Sequence, residues 1–213
     1  MAQDFDWLKN LYIQYLWQKG RLKMKIKMTL LSDAIPGNGE SVPGGEDISV
    51  LRDEQGFPYF KGGTLKGIFR EELTNYLVWT GKTSAVKTTL DRLLGNSGDN
   101  HDEEGKLRFS DLRLSADVQD TISKQEIEGR KLNADEILDA FTYMRAFTSI
   151  NEDGMVEEGS LRYVRCLKRG LIFYGELRCE KEDENTVKAV LGLIKWVGTM
   201  RNRGFGNVIV EVI

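Results

Sequence analysis

Histidine is almost missing from this 213-residue chain, which has one, His101, in the acidic turn "GNSGDNHDEEGK". A ribonuclease that works through paired histidines is thereby excluded, and His101 reads as an exposed turn residue. Cysteine is nearly as scarce: Cys166 and Cys179 each sit in an apolar, strand-like run, and no CxxC pair exists. A zinc site therefore has no ligand set, and both thiols read as buried core residues. HExxH, GxSxG and a cysteine–histidine arrangement are absent as well, which removes the common hydrolase signatures. No apolar run approaches the roughly 20 residues of a membrane span. The start, "MAQDFDWLKN", is acidic and aromatic where a secretory leader is basic and then apolar. The chain reads as soluble and cytoplasmic, with no membrane partner. Charge of one sign is missing too: 30 basic residues stand against 33 acidic ones, net −3. Any site for a polyanion must come from local clustering.

Such clustering is present. From Lys9 to Leu31 there are six basic residues and no acid. Within that stretch "RLKMKIKMTLL" alternates, with Leu22, Met24, Ile26, Met28 and Leu30 on one side and Arg21, Lys23, Lys25 and Lys27 on the other. That pattern is a half-buried strand with a basic outer face. The lysines read either as a phosphate track or as edge residues that discourage aggregation. Residues 33–46, "DAIPGNGESVPGGE", hold two of the three prolines and four glycines and form a long irregular loop. "DISVLRDEQGFPYF" then reads as two short extended pieces around a turn, and Thr64 as the N-cap of an amphipathic helix running to about Trp79. At that helix start "KGGTLKG" offers free N–H groups, the positive dipole end and the cations Lys61 and Lys66, with Gly63 and Thr64 beside them and Arg70 one turn on. A plain strand-to-helix turn explains it equally. "RNRGFG" brings the same ingredients, Arg201, Arg203, Gly204 and a Phe205 ring that can stack or pack. Together these point to a nucleic-acid backbone, single-stranded RNA above all.

The Gly-Lys-Thr of "WTGKTS" is a decoy. A P-loop needs glycine five positions before Gly81, and Tyr76 stands there, inside the helix. What remains for catalysis is carboxylate chemistry. Asp47 and Asp53 flank a short extended piece, and a carboxylate beside an RNA phosphate can hold Mg²⁺ or activate a ribose 2′-hydroxyl. A turn or capping role explains Asp47 as well.

Further on, "LRFSDLRLS" reads as a strand with at most one bulge, and residues 116–160 as an inserted arm with a helical piece near "ADEILDAFTYMRAF". "LRYVRCLKRGLIFYGELRCE" reads as strand, turn and strand, and within it "KRGLIFYGEL" partly matches an RNA-recognition-motif consensus, with Phe173 and Tyr174 alternating between core and surface. A helix over "DENTVKAVLGLIKWVGTM", with Trp196 on its apolar face, and a last strand "NVIVEVI" complete the chain. With loop and arm set aside, the order is the β-α-β-β-α-β of an α+β, ferredoxin-like (RRM-like) core. The chain reads as one domain over 1–213, with an N-terminal extension over 1–20 and a loop with short strands over 33–63.

The combination of "EDISVLRDEQGFPYFKGGTLKGIFREEL", "LRFSDLRL", "SLRYVRCLKRGLIFYGELR" and "RNRGFGNVIVEV" resembles the RAMP superfamily of CRISPR-associated proteins, in particular the crRNA-binding backbone subunit of type III interference complexes. The resemblance covers about residues 21–213. It implies a guide crRNA gripped through Leu65-Lys66-Gly67 and the Gly204-Phe205-Gly206 loop, and a thumb-like insertion within 116–160. It also implies further backbone copies or paralogues as partners. Target single-stranded RNA would be cut with a divalent cation, Mg²⁺ or another, at the aspartate matched by Asp47, which is thus both the catalytic and the metal-holding candidate. The chain departs from the family pattern at Gly62-Gly63-Thr64, where serine is common, and at Ser49, where proline is common. Two alternatives stand beside an endoribonuclease: a non-catalytic crRNA-binding subunit, and a crRNA-processing endoribonuclease, for which the chain has one such domain and no histidine base.

Overall fold

The computed structural model describes residues 21–37, 46–95 and 105–213, apart from 128, 150 and 152. The N-terminal extension, the middle of the glycine-rich loop and His101 lie outside the described residues.

Alternation in the first strand sets the architecture. In β1 (Arg21–Leu30) the residues Met24, Ile26, Met28 and Leu30 are buried, and the lysines between them face the other way. After the loop come β2 (Tyr59–Phe60), α1 (Gly62–Trp79) and α2 (Val86–Leu94), then β3 (Arg108–Phe109) and β4 (Leu112–Leu114). The middle of the chain holds α3 (Ala116–Ser123), the small hairpin β5 (Glu126–Ile127) and β6 (Arg130–Lys131), α4 (Ala134–Phe141) and β7 (Thr142–Phe147). β8 (Arg162–Leu167), β9 (Ile172–Glu180), α5 (Glu184–Leu193) and β10 (Val208–Val212) follow.

The main sheet has the order β10-β1-β9-β4-β2, with β3 also on β9, and every pairing is antiparallel. α1 buries Leu65, Ile68, Phe69, Leu73 and Leu77, and α5 buries Val187, Val190 and Leu191. Both helices join the β1 and β9 apolar residues in one cluster, so this face of the sheet is the core. β7 and β8 form a separate two-stranded sheet over a smaller cluster of Ile35, Val164, Cys166 and Phe205. Both cysteines are buried and free, as their apolar runs predict, and burial pushes each thiol up to about 11.

Several expectations need correction. The helix near residue 134 stops at Phe141, and "TYMRAF" is strand β7, paired in register with β8 from Thr142↔Leu167 to Phe147↔Arg162. Thr142 Oγ1 closes that helix by donating to Leu138 O at 2.7 Å. Pairing with a distant strand outweighs the local helical pattern here. Residues 116–160 therefore do not project as a whole, because α4 buries Ile137, Leu138 and Phe141. β8 and β9 are the strand, turn and strand read from the sequence, and the turn passes the chain from the small sheet to the large one. α5 ends at Leu193, before Trp196, which is exposed and bridges Asn207.

Candidate RNA-binding and cleavage site

The glycine-rich helix start is built differently from its local sequence signal. α1 begins at Gly62 with Lys61 as N-cap, so Thr64 lies inside the first turn and caps nothing. The cap comes from elsewhere: Gly62 N–H donates to Asp111 Oδ1 at 2.9 Å, a carboxylate 49 residues away. An acid at this end is favoured by the dipole and leaves less of it for a ligand. Gly62 is glycine because a Cβ there would stand 2.5 Å from Phe109 O and 2.7 Å from Ser110 O. Its close approach is to the protein itself. Gly63 faces open space, as does Gly67.

Beside it the cations gather. Lys66 and Arg70 are half-buried one turn apart on α1, and Arg108 of β3 joins them, a residue that local sequence did not single out. Burial, then the charges of Arg70 and Arg108, hold the Lys66 ammonium below its ordinary range. Cations that repel one another in partial burial make a place where an anion is favourable. Arg70 Nη2 also donates to Gly95 O at 3.2 Å, and Lys61 is exposed.

Of the β1 lysines, Lys27 lies in the middle of the sheet, between β9 and β10, and Lys25 is met by Ile213 N–H at the end of β10, whereas Lys23 has, among the described residues, β9 on one side alone. Two have acidic partners, Lys23 with Glu176 at 2.5 Å and Lys27 with Glu211 at 3.1 Å. Lys25 stands opposite Glu176 in the register. The track is basic but partly neutralised, and such exposed pairs contribute little stability.

In the C-terminal loop Arg201, Arg203 and Gly204 are exposed, whereas the Phe205 ring is buried. It meets Phe147 of β7 edge-on at 5.9 Å, with the Arg145 guanidinium 5.1 Å from its centre. Phe205 therefore packs, and is not offered for stacking on a base. Gly206 is required by conformation and space together: its φ is +79°, and a Cβ would stand 1.9 Å from Val197 O. Arg201 Nη1 reaches Glu71 of α1 at 3.9 Å, so the loop and the helix are neighbours. Asp33, also missed by local reading, ties this corner together. Its Oδ2 accepts from Tyr143 Oη at 2.7 Å, its Oδ1 from Arg169 N–H at 2.8 Å, and its carbonyl from Gly206 N–H at 2.7 Å.

Asp47 is exposed and strapped to β8. Its N–H donates to Tyr163 O at 2.8 Å, and its Oδ2 accepts from Tyr163 N–H at 2.7 Å. Ile48 then pairs parallel with Val164. On the preceding residue, Glu46 is ion-paired to Arg165, whose guanidinium also reaches Asp139 at 2.5 Å and Thr142 Oγ1 at 2.9 Å. Asp47 thus keeps Oδ1 for a ligand, while Glu46 gives Oε1 to Arg165 and leaves Oε2 buried without a hydrogen-bond partner. Asp53 is committed: Oδ1 takes the N–H groups of Gln55 and Phe57, and Oδ2 takes Arg113 at 3.2 Å. Among the described residues one acidic group could hold a cation by proximity, Glu180, Glu182 and Asp183. Arg92 and Lys106 already occupy it, Arg92 reaching Asp183 at 2.6 Å and Lys106 reaching Glu180 at 2.7 Å.

No described helix is long and apolar enough to cross a membrane. No curated protein matches the chain. Two solved cryo-EM structures contain chains with this fold: the Type III-B Cmr-beta bound to cognate target RNA, and the same assembly in the apo state. Each aligns with TM-score 0.65 and 16% identity over 90% of this chain and 97% of the other. The family model of the RAMP superfamily matches residues 27–209, nearly the whole described chain, and this protein belongs to the RAMP superfamily.

Proposed function

We propose that this chain is a backbone subunit of a type III CRISPR effector complex, which binds guide crRNA and cleaves complementary single-stranded RNA at Asp47. Family membership and likeness in fold to chains of the Cmr-beta assembly support the first part. The observation that carries the second is the exposed Asp47 carboxylate, oriented by Tyr163 N–H through one oxygen and open at the other. The order β10-β1-β9-β4, with α1 and α5 on one face, supports a ferredoxin-like core. We read 1–213 as a single RAMP domain and the part of 116–160 around α3 and the β5–β6 hairpin as its thumb-like insertion.

In this reading the crRNA backbone lies along Lys61, the Gly63 and Thr64 backbone, Lys66 and Arg70, with Arg201, Arg203 and Gly204 beside them and Lys23, Lys25 and Lys27 adding charge. Phe205 holds the loop from beneath. Mg²⁺ suits one or two carboxylates completed by water and phosphate oxygens, and Asp47 is the residue that would hold it. When bound, the cation offsets charge developing on the phosphate. Tyr163 N–H fixes the Asp47 carboxylate in orientation, and Arg165 anchors the adjoining Glu46, so the carboxylate does not have to be ordered at the moment of reaction. The isolated subunit, acidic overall, binds RNA weakly, and assembly multiplies the contacts.

The test compares assembled complexes carrying wild-type chain or Asp47→Asn, which preserves shape and the Tyr163 contact, on labelled complementary RNA with Mg²⁺ or EDTA. Metal-dependent cuts that fall by about 10² or more in the variant, with target binding intact, support cleavage. Unchanged cutting refutes it. One observation favours the non-catalytic alternative: the Asp47 hydrogen bonds to Tyr163 are also what a purely structural strap needs.

A further inference from the structure

The open face of the main sheet carries a row of side chains that shares only the β1 lysines with the site above. Register places Tyr59 of β2 opposite Arg113 of β4, Arg113 opposite Tyr174 of β9, and Tyr174 opposite Lys27 of β1. Opposite partners share a face. Their sequence neighbours Phe60, Leu114 and Phe173 are buried on the core side, so these four point away from it. The motif fragment "KRGLIFYGEL" is thus split by the strand: Phe173 fills the core and Tyr174 is left half-buried on the outer face.

The row is ordered. The Arg113 guanidinium sits 4.7 Å from the centre of the Tyr59 ring and is held by Asp53 at 3.2 Å. Tyr59 and Tyr174 are two strand spacings apart, about 10 Å. Beside Tyr59 opens a cleft of about 510 Å³ lined by Arg52, Asp53, Glu54, Gln55, Tyr59, Arg113 and Gln119. That size suits one nucleotide-like group. Arg52 is fixed by Asp135 at 2.5 Å, and Gln55 is exposed at the turn, an amide able to read a base edge.

We infer that this face is a second nucleic-acid subsite, in which unpaired bases of single-stranded RNA stack on Tyr174 and on the Arg113–Tyr59 pair. Charge selects the occupant. Arg113 is matched by Asp53, but over β1, β9 and β10 the cations Lys23, Lys25, Lys27 and Arg178 face only Glu176 and Glu211, a local excess of cations in a molecule whose net charge is negative. Flat rings among cations match exposed bases on a phosphate chain. An apolar protein surface would find charged side chains on every strand of the face but β2, whose outward residue is Tyr59.

The test uses the full chain and two probes, an unstructured single-stranded RNA of about ten nucleotides and the same backbone with abasic central positions. Wild type binds the abasic probe more weakly, by about ten-fold for each ring lost as a partner. Tyr59→Ala and Tyr174→Ala each weaken binding to the intact probe by a similar factor, without changing the salt slope, because no phosphate contact is lost. Phenylalanine at either position keeps the affinity. Lys66→Gln lowers the salt slope and leaves the preference for bases intact, so failure of the helix-start site and failure of this platform are separable. Equal binding of both probes by wild type, which needs no variant to fold, overturns the inference. So does phenylalanine behaving like alanine.

Discussion

Replacing Tyr143 by phenylalanine removes one oxygen and tests how the corner around Asp33 is held. The Tyr143 hydroxyl donates to Asp33 Oδ2 at 2.7 Å, a short bond to a charged acceptor, of a kind worth about 1.5–3 kcal/mol. Burial, then the bond to Asp33 and its negative charge, push the Tyr143 phenol up to about 12 from 10.0. Burial is the largest cause, so the shift measures chiefly the cost of ionising the buried phenol and sets the pH range over which the contribution fades. The sign follows from proton counting. Above pH 10 the unfolded chain gives up the phenolic proton while the folded chain keeps it, so this contribution is complete below pH 10 and is lost as pH rises toward about 12. Urea unfolding of wild type and Tyr143→Phe across that range provides the assay. The variant is expected to be less stable by about 1.5–3 kcal/mol at pH 8, with the difference vanishing near pH 12. Curves that stay parallel through the range would show that the hydroxyl is not coupled to Asp33 as described. Because the Asp33 carbonyl receives Gly206 N–H, the same variant is expected to loosen the C-terminal loop, seen as faster amide exchange at residues 204–206.

Two glycines of that loop separate space from conformation. Gly206→Ala puts a Cβ 1.9 Å from Val197 O at φ +79°, whereas Gly204→Ala has the same backbone problem, φ +83°, but open space. Denaturant titration is expected to show about 1–2 kcal/mol lost for Gly204→Ala and more than about 3 kcal/mol, or no folded protein, for Gly206→Ala; equal costs would refute the steric argument. Lys66→Gln is expected to separate stability from binding. The folded chain disfavours the Lys66 ammonium, so between its lowered pKa and 10.5 the unfolded chain holds more protons and stability rises with pH. The variant should therefore lose that pH dependence and be unchanged or slightly more stable at pH 7, within about 0.5 kcal/mol. Its RNA binding should weaken, with a log–log salt slope reduced by about 1.

The sequence by itself determined what is periodic or absent. A two-residue alternation can bury only one set of side chains, so the faces of β1 followed from "RLKMKIKMTLL", as did the burial of both cysteines and the positions of most strands and of α1. Tertiary structure decided whatever depended on a partner distant in the chain. Lys27 became a central residue because β9 and β10 flank it, while Lys23, among the described residues, kept one side open, and no local pattern distinguishes an edge from a centre. Thr64 lost its capping role to Asp111, 49 residues beyond Gly62, since a carboxylate supplied from the turn between β3 and β4 serves the helix end equally well. "TYMRAF" left the helix for a strand because β8 offered it a ladder. Phe205, ambiguous between stacking and packing in a Gly-Phe-Gly loop, was claimed by Phe147 and Arg145. The Tyr59–Arg113–Tyr174 row had no local signature, because its members come from three strands and only the register aligns them.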